Sequence, residues 1–404
     1  MKKKTAILIG LLLVITTAAT TFFVTTFIQI DLGDKVVISR KDLEDFRSFY
    51  GTYESVEDLK SYIEENYYLE VEESLLIDGM KQGLFDVLED PYSLYMDSEE
   101  FQSYMESSTG EYAGIGLYLT PNDKDQIEVV SPIEDTPADS VGLLAKDVIT
   151  GVNGVSYTAE QMDEAIKQIK GEPGTSITLT IYRPSQNKSF DVEIERAWID
   201  IKVVKARMLD SEIGYLRLTT FDENSAREFD ENAKDLISQG AKGIVLDLRQ
   251  NPGGYLSQTV KIADAMLGKA LIVYTEGRNG DNGTYESDAR KYDVNWVVLI
   301  DQGSASASEI LTGALKDHGQ ATIVGTTTFG KGVVQVVVPH EGDSGFKLTT
   351  SQYFTPSGAY IHGVGIEPDV FIELDEGYYE IEEPTDEDDN QLMKALEIIK
   401  EQLE

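Results

Sequence analysis

The chain contains 404 residues, which is enough for two or three domains with a substantial buried core. Its 34 basic and 72 acidic residues give a formal net charge of −38, which argues against nucleic acid as a partner because the phosphates would be repelled. The absence of cysteine excludes thiol catalysis, disulfide bonds and cysteine-based zinc sites.

Residues 1–30 are predicted to form a membrane anchor. Three lysines open the segment, and the 25 residues from Ala6 to Ile30 carry no charge. A helix of this length spans about 30 Å of hydrocarbon, and its basic start is expected to stay inside the cell. A cleaved signal peptide is the alternative, because small residues occupy positions 17–19.

Residues 31–110 are predicted to be a mainly helical segment. Leu43, Phe46 and Tyr50 recur at three- and four-residue intervals, which is typical of one apolar helix face, and Asp90-Pro91 ends the pattern. We expect this apolar stripe to be core, with a contact between two copies of the chain as a further role. We predict no catalytic group in this segment.

Residues 111–198 alternate short strands and turns with one clear helix. The glycine turn of Gly114, Ile115, Gly116 and Leu117 exposes backbone N–H groups that can hold a peptide carboxylate. Asn153-Gly154 predicts a hairpin, and a helix is expected over Met162–Ile169, with Ile166 beside the peptide groove. This order of elements resembles a PDZ domain. Lys170 follows this helix, and a lysine cannot supply the bidentate contact that an arginine guanidinium makes.

From residue 199 to residue 375, apolar strands alternate with helices. Strands at 214–218 and 243–249 flank a helix, which predicts a βαβ unit and a parallel sheet covered by helices. The second strand ends in the Gly253-Gly254 turn, and a helix is predicted over Leu256–Met266. Backbone N–H groups in such a turn can stabilise a developing oxyanion, although a plain turn is the alternative.

A second strand–helix–strand unit carries three serines and a lysine. A strand at Val297–Ile300 leads to Ser304, Ser306 and Ser308, and a later strand at Ala321–Gly325 leads to Lys331. A serine hydroxyl needs a base beside it, and a lysine can be that base if burial lowers its pKa by about 3 from roughly 10.4. Two other interpretations stay open. Ser306 and Glu309 also fit a capping box, and Lys331 also fits a surface lysine.

The run Ser-Ala-Ser-Ala-Ser-Glu at 304–309, with Phe-Gly-Lys-Gly at 329–332, resembles the carboxyl-terminal processing peptidases. These are PDZ-containing S41-type serine proteases of the tail-specific protease family. The resemblance implies that Ser306 is the nucleophile, that Lys331 is the general base and that Gln335 helps to orient the lysine.

The resemblance also implies the groups that support this pair. One oxyanion donor is expected in the Gly253-Gly254 turn, and the second is the N–H of Ala307, directly after the nucleophile. The family often has an acidic residue at the position of Asp317, so this residue is expected to support the geometry of the site. An acidic residue at the exposed C-terminal end of a helix is an equally good interpretation. The histidines, at 318, 340 and 362, show neither metal-ligand spacing nor a triad motif, so we predict no metal and no cofactor.

The implied architecture is a multidomain α+β protein. It comprises a membrane anchor (1–30), a helical segment (31–110), a PDZ domain (111–198), a protease core of the crotonase-like ββα type (199–375), and an acidic tail with a final helix (376–404). The implied function is a serine endopeptidase on the extracytoplasmic side of the membrane of a Gram-positive-type bacterium. It would act as a homodimer on proteins with exposed C-termini. The alternative is a catalytically silent PDZ scaffold, which would need neither Ser306 nor Lys331.

Overall fold

The computed structural model describes residues 3–27, 30–31, 36–109, 111–133, 135–278, 280, 282–288, 290–378, 381 and 384–404. The chain divides into two compact units, Met1–Leu84 and Phe85–Glu404. The first unit contains two long helices, a two-stranded sheet and the start of a third helix, and the second contains the other sheets.

The first unit is helical, as predicted. Its elements are α1 (Lys3–Phe27), β1 (Ile30–Asp31), β2 (Val36–Val37), α2 (Arg40–Asn66) and the start of α3 (Glu73–Asp86). Helix α1 contains a stretch, Lys3–Phe23, that is long and apolar enough to cross a membrane. Strands β1 and β2 pair antiparallel. Ser39 caps α2 by accepting the backbone N–H of Asp42 at 3.1 Å.

The apolar stripe of α2 is not core in this chain, so that prediction is wrong. Phe46, Phe49, Tyr50 and Tyr53 are 60%, 64%, 52% and 53% exposed. Neither α2 nor α3 buries a residue, and both helices lie wholly within the described residues. Hydrophobic periodicity identifies an apolar face, but it does not say what covers that face.

The PDZ region contains a six-stranded sheet, a separate two-stranded sheet and two helices. Its elements are β4 (Glu111–Gly114), β5 (Leu117–Pro121), β6 (Ile127–Pro132), α5 (Pro137–Ser140), β7 (Val148–Val152), β8 (Val155–Ser156), α6 (Met162–Ile169), β9 (Ser176–Arg183), β10 (Lys188–Glu195) and β11 (Ala197–Asp200). The strand order β10-β9-β7-β6-β5 leaves β5 at an edge. Asn153 and Gly154 join β7 to β8 with φ values of 49° and 80°, which a type I′ hairpin requires.

The core contains a six-stranded sheet with helices on both faces. Its elements are β12 (Val204–Met208), β13 (Ile213–Leu218), α7 (Ser225–Ser238), β14 (Gly243–Asp247), α8 (Leu256–Met266), β17 (Asn295–Ile300), α9 (Ala307–Asp317), β18 (Ala321–Gly325), β21 (Val370–Phe371) and α10 (Asn390–Leu403). The order is β12-β13-β14-β17-β18-β21, and every pair from β13 to β21 is parallel. The predicted βαβ unit is therefore confirmed.

A second sheet completes the core. It consists of β15 (Leu271–Gly277), β16 (Gly283–Glu286), β19 (Val333–Pro339) and β20 (Gly345–Phe354), in the order β16-β15-β20-β19. Strand β3 (Leu94–Met96) pairs with β20, and α4 (Ser98–Thr109) follows it. The adjacent strands β14 and β17 end at the same edge of the first sheet, which is where α/β proteins assemble their sites. Their turns carry Gly253-Gly254 and Ser306.

Candidate active site

A cavity of about 500 Å³ lies where the turns after β14 and β17 meet β19 and β20. It brings together six of the residues that the sequence nominated: Ser306, Ala307, Gly253, Gly254, Lys331 and Gln335. Other lining residues include Tyr104, Asp222, Lys347 and Tyr353. The nominated groups are distant in the chain, and the fold makes them neighbours.

Ser306 occupies a sharp turn between β17 and α9. Its backbone has φ 53° and ψ −110°, a conformation that costs a non-glycine residue about 1–3 kcal/mol. Its N–H donates to Oε2 of Glu309 at 2.8 Å, which is the return half of a capping box. Its carbonyl accepts the hydroxyl of Tyr353 at 3.2 Å and the N–H of Ile310 at 2.9 Å. The surrounding structure therefore holds this strained turn from both sides.

The other two serines of the motif have structural roles. The hydroxyl of Ser304 donates to the carbonyl of Leu248 at 2.8 Å, and that of Ser308 donates to the carbonyl of Asn251 at 2.9 Å. Both residues are fully buried, and only Ser306 of the three lines the cavity. The geometry therefore favours Ser306 as the nucleophile.

The glycine turn lies directly against the serine turn. A Cβ on Gly253 would be 2.8 Å from the carbonyl oxygen of Ala305 and 2.9 Å from the nitrogen of Ala307, so only glycine allows this approach. Gly253 and Gly254 both have positive φ, at 103° and 142°. The N–H of Gly253 donates to Oδ1 of Asn251 at 2.9 Å. The backbone nitrogen of Ala307 and the Gly253 turn therefore lie close together beside Ser306, with the Gly253 N–H already donated to Asn251.

Lys331 is partly buried where it lines the cavity. Burial lowers the pKa of its amine below the ordinary value, and the positive charge of Lys347 lowers it further. The charges of Asp90 and Glu309 act in the opposite direction. The Lys331 amine lies 4.7 Å from the ring centroid of Tyr92.

The segment around Asp90, for which we predicted no catalytic group, borders the site. Tyr92 covers the Lys331 amine, and the hydroxyl of Ser93 donates to Oδ2 of Asp90 at 2.6 Å. The same hydroxyl accepts the N–H of Thr349 on β20 at 2.9 Å. Sequence reasoning missed this contribution because Tyr92 and Lys331 are far apart in the chain. The cluster of polar and aromatic residues directly after a helix stop was the available signal.

Gln335 and Asp317 have different positions relative to the cavity. Gln335 lines it, and its Nε2 donates to the hydroxyl of Thr349 at 3.3 Å. Asp317 is the last residue of α9, at the end of the helix away from Ser306. Its Oδ2 accepts the N–H of Ser357 at 2.9 Å. Asp317 therefore stabilises a neighbouring turn and is not among the residues that line the cavity.

The predicted peptide groove is a second cavity, of about 310 Å³. It is lined by Ile115, Gly116 and Leu117 from the glycine loop and by Ile166 of α6. Gly114 ends β4 immediately before the loop. The groove therefore has the edge strand and flanking helix that β-strand addition of a peptide requires.

Comparisons with known proteins agree with this architecture. Residues 212–372 match Peptidase family S41, residues 14–100 match the activating protease CtpB N-terminal domain, and residues 113–194 match the PDZ domain. A putative S41 protease from Bacteroides fragilis shares the fold, with a TM-score of 0.51 and 17% identity over 83% of this chain and 91% of that chain.

Two relatives extend the similarity over most of the chain. The carboxy-terminal-processing protease of Bartonella bacilliformis is 44% identical over 306 residues, which are 74% of this chain and 70% of the relative. A probable CtpA-like serine protease of Staphylococcus aureus is 37% identical over 322 residues, 79% of this chain and 64% of that protein. This chain therefore belongs to peptidase family S41, as a serine-type carboxy-terminal-processing protease with a PDZ domain.

Proposed function

We propose that this chain is an endopeptidase whose chemistry is carried out by Ser306 and Lys331. The observation that carries the proposal is that both residues line one cavity in which burial lowers the pKa of the lysine. A neutral Lys331 amine can accept the Ser306 proton while the hydroxyl oxygen attacks the scissile carbonyl. The N–H of Ala307 and the Gly253-Gly254 turn hold the negative charge that develops on the carbonyl oxygen.

The remaining steps return every group to its starting state. The protonated Lys331 gives its proton to the leaving amine, and an acyl-enzyme forms on Ser306. Lys331 then accepts a proton from water, which attacks the ester and releases the new C-terminus, and Ser306 recovers its proton. Gln335, on the strand that follows Lys331, lines the same cavity and is proposed to help orient the lysine, as the family resemblance implies.

The PDZ groove is proposed to bind the C-terminus of the substrate and to gate the catalytic cavity. Helix α4 supports this coupling because it contributes to both cavities. Glu106 lines the groove and accepts the Lys170 amine at 2.5 Å, whereas Tyr104 lines the catalytic cavity, with its ring centroid 5.4 Å from the Lys347 amine. A peptide carboxylate that takes Lys170 from Glu106 would release one end of this helix.

The proposed location and assembly rest on features of the first unit. We propose that residues 1–30 anchor the chain in the cell membrane, with residues 111–375 on the extracytoplasmic side. The exposed aromatic stripe of α2 fits a second copy of the chain, because an apolar face of this kind is normally covered. The proposed partners are therefore proteins with exposed C-termini, the membrane and a homodimer mate.

The mechanism is tested by cleavage of unfolded casein with the full-length chain in detergent. Ser306→Ala and Lys331→Ala should each lose activity by about 10³-fold or more, because the pair acts as one unit. Ser211→Ala and Lys205→Ala, at exposed positions, serve as matched controls and should be as active as the unaltered chain. Full activity in all four variants would exclude the mechanism. An unaltered chain that binds peptides without cleaving them would favour the silent scaffold.

A further inference from the structure

One buried carboxylate connects the nucleophile and the base. Glu309 is fully buried, and its Oε2 accepts the backbone N–H groups of both Ser306 and Lys331, each at 2.8 Å. Its Oε1 accepts the hydroxyl of Thr328 at 2.6 Å and the N–H of Gly330 at 2.7 Å. Four donors therefore surround a charge whose burial would otherwise be costly.

This arrangement exceeds what a helix cap requires. In a capping box, the Glu309 side chain needs to accept only the N–H of Ser306. The other three of its four donors belong to the loop that carries Lys331. That loop is fixed further by Thr328, whose hydroxyl accepts the N–H of Ile366 at 2.7 Å. The N–H of Phe329 also donates to the carbonyl of Ser304 at 3.0 Å.

The geometry points to Glu309 as a positioning residue that holds the backbones of Ser306 and Lys331 in the relative position that proton transfer requires. This inference rests on the proposed Ser306–Lys331 mechanism. The two residues follow different strands, β17 and β18, so their separation depends on how two turns are held. One carboxylate oxygen shared by both N–H groups sets that separation directly.

The charge of Glu309 has a second, measurable consequence. It raises the pKa of Lys331, against the effects of burial and of Lys347, and Asp90 acts in the same direction as Glu309. Tyr92 and Tyr353 also face this cluster, through the ring contact with Lys331 and the hydrogen bond to Ser306. Since only the neutral amine is a base, kcat should rise with pH through the pKa of Lys331. Loss of the Glu309 charge should move that rise to lower pH.

The test compares kcat, KM and the pH profile of casein cleavage by full-length variants in detergent. Glu309→Gln should lower kcat about 100-fold, because misplacement by about 1 Å costs this much, while KM stays nearly constant. The midpoint of its kcat profile should move to lower pH. Glu309→Asp keeps the charge on a shorter side chain, so kcat should fall without a shift of the midpoint. Glu367→Gln makes the same charge change at an exposed position and should match the unaltered chain.

The possible results separate clearly. The inference would be overturned if Glu309→Gln had the same kcat and the same midpoint of its pH profile as the unaltered chain. It would also be overturned if Glu309→Asp had the same kcat as the unaltered chain. If the glutamine variant fails to fold, the kcat of the aspartate variant alone tests the positioning role. Full activity of Ser306→Ala and Lys331→Ala would instead refute the proposed mechanism, so the two failures are distinguishable.

Discussion

Lys331 and Lys347 line the same cavity, and burial lowers the pKa of both amines. Lys331 lies two residues before β19, and Lys347 belongs to β20, the strand that pairs with β19. The Lys347 charge disfavours protonation of Lys331 and is the second cause of the lowered Lys331 pKa, after burial.

We expect Lys347→Gln to move the rise of kcat to higher pH. Removal of the Lys347 charge raises the pKa of Lys331, so a higher pH is needed to obtain the neutral base. Asp90→Asn should have the opposite effect, because the Asp90 charge raises the pKa of Lys331. The pH profile of casein cleavage measures both shifts, with Lys205→Gln as an exposed control. Coinciding profiles for all four proteins would contradict this assignment of charges.

We expect Gly253→Ala to reduce kcat by about 10²-fold or more, because the added Cβ pushes the glycine turn away from the N–H of Ala307 and so disturbs the oxyanion site. The added Cβ would lie within 3 Å of both Ala305 and Ala307, at a φ of 103° that disfavours alanine. Gly268→Ala is the matched control, because a Cβ there meets nothing within 4 Å. Equal kcat values for the two variants would remove the glycine turn from the oxyanion site.

We expect Arg249→Met to destabilise the core by about 3 kcal/mol or more. Arg249 joins Asp247, the last residue of the central strand β14, to Asp389, the N-cap of α10, and all three are buried. The exposed Arg207–Asp386 pair provides a control, and Arg207→Met should cost less than about 1 kcal/mol. Urea unfolding measures both values, and a similar cost for the two variants would contradict a structural role for Arg249.

The same ion pair predicts sensitivity to acid. Burial alone would raise the pKa of Asp247, but the hydrogen bonds and charge of Arg249 outweigh burial and lower it. A carboxyl group whose pKa is lower in the folded chain than in the unfolded chain stabilises the fold at pH values above its unfolded pKa, which is about 3.9. This stabilisation is lost as the pH falls through the pKa of the folded chain. The stability difference between the unaltered chain and Arg249→Met should therefore shrink below about pH 4.

We expect Glu106→Gln to strengthen the binding of peptides that have a free C-terminal carboxylate, by up to about tenfold. The groove of the unaltered chain holds its own carboxylate against Lys170, and the peptide must displace it. Glu99→Gln is the matched control, because Glu99 pairs with Lys167 across the same two helices but does not line the groove. Calorimetric titration with a peptide and its C-terminal amide tests the prediction, and a gain shared by the amide would contradict it.

Local sequence patterns determined much of the fold. Helix α6 over Met162–Ile169, helix α8 over Leu256–Met266 and strand β18 over Ala321–Gly325 have their predicted bounds. Apolar periodicity and turn residues act within a few residues, so they can be recognised without the rest of the chain. Family resemblance added Ser306, Lys331 and Gln335, which the cavity then brought together.

Only the tertiary structure decided what surrounds these residues. The aromatic stripe of α2 proved to be exposed. Tyr104 and Lys347 line the cavity of Ser306, and Tyr92 contacts the Lys331 amine, although all three are distant from Ser306 in the chain. The double role of Glu309 also became visible only when two turns met. The physical reason is that burial and proximity depend on how strands distant in the chain are paired. The pKa of a lysine depends on both, so no local pattern can set it.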